Sequence, residues 1–98
     1  MTQKRRERTV MPVPPGELLK EEFLEPLGMT QRELADKTGY EIKAINRLIN
    51  GRTRVTPEMA LALEDALGMP ADFWLRSQLE VDLFDLRQAR KNRADVTV

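Results

Sequence analysis

Apolar residues recur along this chain at helical spacing, in five runs punctuated by glycine and proline. Leu18, Leu19 and Phe23 form the first run, and Leu24 and Leu27 extend its apolar side. The spacing predicts a helix from about Gly16 to Glu25, ended by Pro26 and Gly28. Leu34 and Ala35 face inward from a second helix, Gln31 to Thr38, with Thr30 as its N-cap. Glu33 stands three residues after that cap and completes a capping box, while Gly39 supplies a left-handed stop. Ile45, Leu48 and Ile49, at i, i+3 and i+4, predict a third helix over about Glu41 to Asn50, closed by Asn50-Gly51. Thr56-Pro57-Glu58 opens a fourth, with a cap, a proline at the first helical position and a carboxylate at the positive dipole end. Met59, Leu63, Ala66 and Leu67 pack inward from it until Gly68. Pro70 opens a longer fifth helix to about Lys91, with Phe73, Trp74, Leu79, Leu83, Phe84 and Leu86 as its apolar residues. No strand alternation or repeat interrupts the pattern, so the predicted fold class is all-α.

Composition narrows the chemistry. Ninety-eight residues suit one small domain. The start, "MTQKRRERTVMPVPP", reads as a flexible basic Pro-rich arm over residues 1–15, followed by the domain over 16–91 and a frayed tail over 92–98. No apolar run reaches the length of a membrane span, and no signal-peptide core follows the basic start. Cysteine and histidine are both absent, which removes disulfides, thiolate metal sites, the commonest general base and the commonest metal ligand. The lone serine, Ser77, falls inside a predicted helix, and no phosphate-binding glycine loop exists. The expectation is a cytoplasmic, nucleoid-associated domain without cofactor, metal or membrane partner, and no enzyme. Net charge is zero, but its distribution is uneven. Residues 1–9 carry +3, residues 16–27 carry −3, residues 41–54 carry +3 and residues 56–67 carry −3. A local basic patch is what a phosphate surface requires.

That central patch lies on the third predicted helix. At 100° per residue, Ile45, Leu48 and Ile49 cluster on one side, and Lys43 and Arg47 lie opposite with Asn46 and Asn50 beside them. Ile42 falls at the border. Cations and amides in a row suit the major groove, where Arg and Lys pair with guanine and Asn with adenine.

The segment "GMTQRELADKTGYEIKAINRLINGRTRVTPEMALALEDALG" resembles a Cro/C1-type (XRE-type) helix-turn-helix. "PPGELLKEEFLEPLGMTQ" and "TPEMALALEDALGMPADFWLRSQ" extend the likeness to the HigA-type (VapI-type) antitoxins, from about Pro14 to Leu86. The resemblance implies a compact five-helix Cro/C1-repressor-like domain with a longer C-terminal helix. It also implies a homodimer that binds a palindromic operator, represses its own operon and neutralises a HigB-type messenger-RNA-cleaving toxin. Carried over residue by residue, Gln31 meets the DNA backbone or a flanking base. Glu41, Ile42, Lys43, Asn46 and Arg47 face the groove, and Thr30, Arg52 and Arg54 hold phosphates. The sequence departs from the family at Glu41, where Ser or Thr is usual as a cap. It departs again at Ser77 and Val81, which replace a larger apolar residue and an aromatic and bear on the packing of the last helix.

Several positions admit two readings. Lys43 and Arg47 either read DNA, the preferred view, or form a solvated face. Glu41 either caps the third helix, which is preferred, or accepts from a cytosine amino group. Ile42 meets a thymine methyl or marks the core edge. Phe73 and Trp74 read as core. Val81, Leu83, Phe84 and Leu86 form a dimer seam, with intramolecular core as the alternative. The basic arm, Lys4 to Arg8, reads as solvated, with minor-groove or toxin contact as alternatives. For the whole protein, the alternatives to an antitoxin are a stand-alone Cro-like repressor and a helical protein-interaction module.

Overall fold

Pro14 and Pro15 start the first helix without any side-chain cap: Pro14 is extended, and Pro15 needs no N–H partner in the first turn. The computed structural model describes residues 11–97, with side chains through Arg93; the basic arm Lys4 to Arg8 lies outside the described residues. Helix α1 spans residues 15–27 and contains a π-helical stretch, Leu19–Leu24. Pro26 does not end it, contrary to the sequence expectation. The Glu25 N–H bonds five residues back to the Lys20 carbonyl, and a regular turn, Glu25–Leu27, follows with Pro26 near its start. The wider π turn thus places proline where its missing donor is tolerated. Gly28, with φ of 66°, terminates the helix.

Helix α2 is Gln31–Thr38, α3 is Ile42–Ile49, α4 is Pro57–Leu67 and α5 is Ala71–Thr97. Five helices and no strand make up the described residues, so the all-α fold holds. Helix α2 has its capping box: the Glu33 N–H donates to Thr30 Oγ1 at 3.0 Å, and the Thr30 N–H donates to Glu33 Oε1 at 2.8 Å. The Met59 N–H donates to the Thr56 hydroxyl oxygen at the head of α4. Helix α5 runs past Lys91 to Thr97, longer than the periodicity suggests, because its distal part carries good helix formers such as Arg87, Gln88 and Lys91.

The core draws on every helix: Leu19, Leu34, Ile45, Leu48, Leu63 and Trp74 are all essentially inaccessible. Phe23 on α1 meets Phe73 and Trp74 at centroid distances of 6.1 and 5.0 Å, an aromatic cluster that pins the head of α5 to α1. Trp74 is therefore core, and its buried indole N–H has no acceptor. Gly16 decides where α3 sits. A Cβ there would lie 1.9 Å from the Leu48 carbonyl oxygen, so only glycine lets α1 rest directly on the end of α3.

Candidate nucleic-acid interface

The second and third helices form the two-helix unit. Gly39, with φ of 83°, closes α2, and Tyr40 and Glu41 lead into α3. Ile45 and Leu48 fix α3 inward, which leaves Lys43, Asn46 and Arg47 on the exposed face. Ile42 sits at the first helical residue and is 40% exposed, so its apolar surface points outward rather than into the core.

Glu41 occupies the N-cap position, with extended backbone at φ −72° and ψ 151°. Its side chain makes no capping hydrogen bond, which corrects the preferred sequence reading. Its carbonyl receives the Ala44 and Ile45 N–H groups at 2.9 and 3.2 Å. The longer Glu side chain does not fold back onto the helix as Ser, Thr or Asp does. The carboxylate remains exposed beside the positive end of α3.

The amides form a short ladder. Asn50 Nδ2 donates to Asn46 Oδ1, and Asn46 Nδ2 donates to Gln31 Oε1, both at 3.2 Å. Gln31 and Asn46, adjacent only in space, are thereby oriented as one polar strip across α2 and α3. Thr30 uses its hydroxyl oxygen as the cap, and its O–H remains a donor for an anion.

Two grooves flank α3. One, of about 300 Å³, is bordered by Glu41, Lys43, Arg47, Thr53, Arg54 and Thr56. It brings together three of the cations singled out in the sequence and adds the hydroxyls of Thr53 and Thr56. The other, of about 360 Å³, has Lys20, Thr30, Gln31 and Ile49 along its walls. Lys20 was missed in the sequence because it lies in the acidic first helix; only the packing of α1 beside α2 and α3 brings it to this edge. Arg52 is exposed on the loop after α3, its N–H bonded to the Arg47 carbonyl at 2.9 Å.

Arg54 is not free. Its Nη1 and Nη2 donate to Asp82 Oδ1 and Oδ2 on α5, at 2.8 and 2.7 Å. The Arg54 hydrogen bond is the main cause holding the Asp82 carboxyl below the usual carboxylate range, and the same bond raises the Arg54 guanidinium. Burial pushes the Tyr40 hydroxyl up, with the charge of Glu58 adding to it.

The expected seam on α5 divides. Leu83 and Leu86 are exposed at 36% and 58%, and they share one stripe with Leu79, exposed at 53% and not part of the seam expected from the sequence. Val81 and Phe84 are half-buried on a different side, that of Trp74 and Ser77. Ser77 is itself buried and donates to the Val13 carbonyl oxygen at 3.3 Å, which is how α5 accommodates a small polar residue there.

No group of metal-ligating side chains occurs among the described residues, and none of their helices is long and apolar enough to cross a membrane. A helix-turn-helix family model matches residues 20–74. Antitoxin HigA-1 of Vibrio cholerae is 43% identical over 83 residues, covering 85% of this chain and 78% of that protein. The structure of antitoxin GraA in complex with its operator superposes with a TM-score of 0.79 at 31% identity, over 91% of this chain and 90% of that one. A HigA-family addiction module antidote from Coxiella burnetii gives 0.79 at 26% identity, over 91% and 97%. Two of these relatives are antitoxins and the third is an addiction module antidote, and GraA was solved on its operator. With its capped α2, its two-faced α3 and this breadth of likeness, the chain belongs to the XRE-type helix-turn-helix family, among the HigA-type antitoxins.

Proposed function

We propose that the protein is an antitoxin that binds its own operator as a dimer, represses its operon and neutralises a HigB-type toxin. The observation that carries the DNA half is the exposed side of α3, where Lys43, Asn46 and Arg47 stand between two grooves edged by cations and hydroxyls. A helix lying in the major groove has a phosphate strand on each side of it, and the two grooves suit that arrangement. Lys43, Asn46 and Arg47 read base edges, with Glu41 and Ile42 at the leading end of the helix. Thr30, Gln31, Arg52 and Arg54 hold the backbone, joined by Lys20. The GraA complex with its operator supports the DNA assignment, and the likeness to HigA-1 supports the toxin.

Operator symmetry, as the family resemblance implies it, and the open apolar stripe on α5 support the dimer. Two recognition helices about 34 Å apart meet successive major-groove faces of a two-fold operator. The stripe of Leu79, Leu83 and Leu86 is the apolar surface best suited to a second copy. Val81 and Phe84 serve chiefly within the subunit.

A salt titration of binding to the protein's own promoter and to a scrambled duplex tests the reading. Tighter binding to the promoter, with affinity falling steeply as salt rises, is expected. Equal, salt-insensitive binding to both would leave a protein-interaction module as the better account. Co-purification with the product of a neighbouring small gene tests the toxin, and sedimentation at high micromolar concentration tests the dimer.

A further inference from the structure

We propose that Asp82, on α5 and outside the helix-turn-helix, competes with DNA phosphate for Arg54 and thereby limits how tightly the protein grips any DNA. The inference rests on the DNA-binding reading above. Arg54 borders the same groove as Lys43 and Arg47, yet its guanidinium fork is already closed on a carboxylate. A phosphate asks for the same fork, because two parallel N–H groups match its oxygens as they match those of Asp82.

The two partners are held unequally. Asp82 Oδ1 accepts from Gln78 Nε2 at 3.1 Å, and Gln78 is buried, its Oε1 accepting from the Val55 N–H at 2.9 Å. The acid is thus fixed to the fold. Arg54 sits on the loop, with its side chain 64% exposed against 29% for Asp82. Even with two parallel hydrogen bonds, a pair whose cation is this exposed is only weakly held, so the long cation can leave the anchored anion for a phosphate. After it leaves, the carboxylate stays held by Gln78 at the foot of the Arg54 loop, and its charge repels the arriving phosphate. Competition and repulsion act in the same direction. Neither depends on base sequence, so Asp82 tunes affinity without touching specificity.

Asp82→Asn tests this because it removes the charge and keeps an oxygen for Gln78 to donate to. Affinity for promoter and scrambled duplexes is measured across salt concentrations, with circular dichroism to verify folding; Asp82→Ser serves if the Asn variant does not fold. Binding is expected to tighten about 3–10-fold on both duplexes, by similar factors. In an Arg54→Ala background the gain should shrink, since only the repulsion remains to be relieved. A pair that merely braced the loop would give the opposite result: a folded Asp82→Asn that binds equally or more weakly overturns the proposal. So does a gain of undiminished size without Arg54. A wild type with no salt-dependent DNA binding would instead overturn the DNA reading itself.

Discussion

Helices α2 and α3 are the same length, sit side by side and both bury apolar residues, but their leading ends are held differently. Helix α2 carries its own instructions: a reciprocal capping box at Thr30 and Glu33, and a glycine at the far end. Helix α3 has no side-chain cap, since Glu41 makes no capping hydrogen bond. Instead, Ile45 and Leu48 are fully buried on its inner side, and the α1 backbone at Gly16 lies against its last turn. A cap contributes about 1 kcal/mol. Burying an Ile or Leu contributes roughly 1.5–3 kcal/mol. Packing therefore dominates at α3, and its leading end is left with exposed groups for a ligand. The start of the supporting helix is specified by its own side chains, and the start of the reading helix is held by packing.

The sharpest way to break this comparison is Gly16→Ala. The added methyl meets backbone rather than a flexible side chain, so α1 and α3 must separate. We expect a loss of about 3 kcal/mol or more, visible as a lower urea midpoint, together with lost DNA binding. A variant as stable as the parent would show that α3 does not depend on this contact.

Arg47→Ala leaves the packing intact and attacks only the exposed side of α3. It should cost about 1–3 kcal/mol on promoter DNA and flatten preference between promoter and mutant sites, with thermal stability almost unchanged. Unaltered discrimination would remove Arg47 from the base-reading set.

Thr30→Ala strikes the local device of α2 instead. About 1 kcal/mol of stability should be lost, because the Glu33 N–H loses its acceptor. Introducing Glu33→Ala as well should add little, since the two side chains act as one box; fully additive losses would argue that they act separately.

Glu41→Ser gives α3 the kind of cap that α2 already has, and the effect is the smallest. Stability should rise by about 0.5 kcal/mol in denaturant unfolding. Tested against operator variants, a loss of preference confined to one base pair would identify Glu41 as a cytosine reader. Equal preference throughout would leave its carboxylate without a role in sequence recognition.

Much of the fold was legible because its signals are local. Caps at Thr30 and Thr56, and stops such as Gly39, depend on residues within a turn of each other. Pro26 misled because a π turn five residues wide, invisible in the apolar spacing, lets the helix continue through it. At the interface, Lys43, Asn46 and Arg47 were legible from the two-sided period of one short helix. Lys20 was not, since it reaches the second groove only when α1 packs beside α2 and α3. Nor was the restraint on Arg54, whose partner lies 28 residues away on another helix.

The sequence by itself determined the helices, most of their ends and the polar side of the reading helix, because each follows from side chains three or four residues apart. Tertiary structure decided the rest. It set α3 against Gly16, divided the apolar residues of α5 between core and open surface, and tied Arg54 to Asp82. Those outcomes depend on distances between separate helices, and no local spacing encodes them.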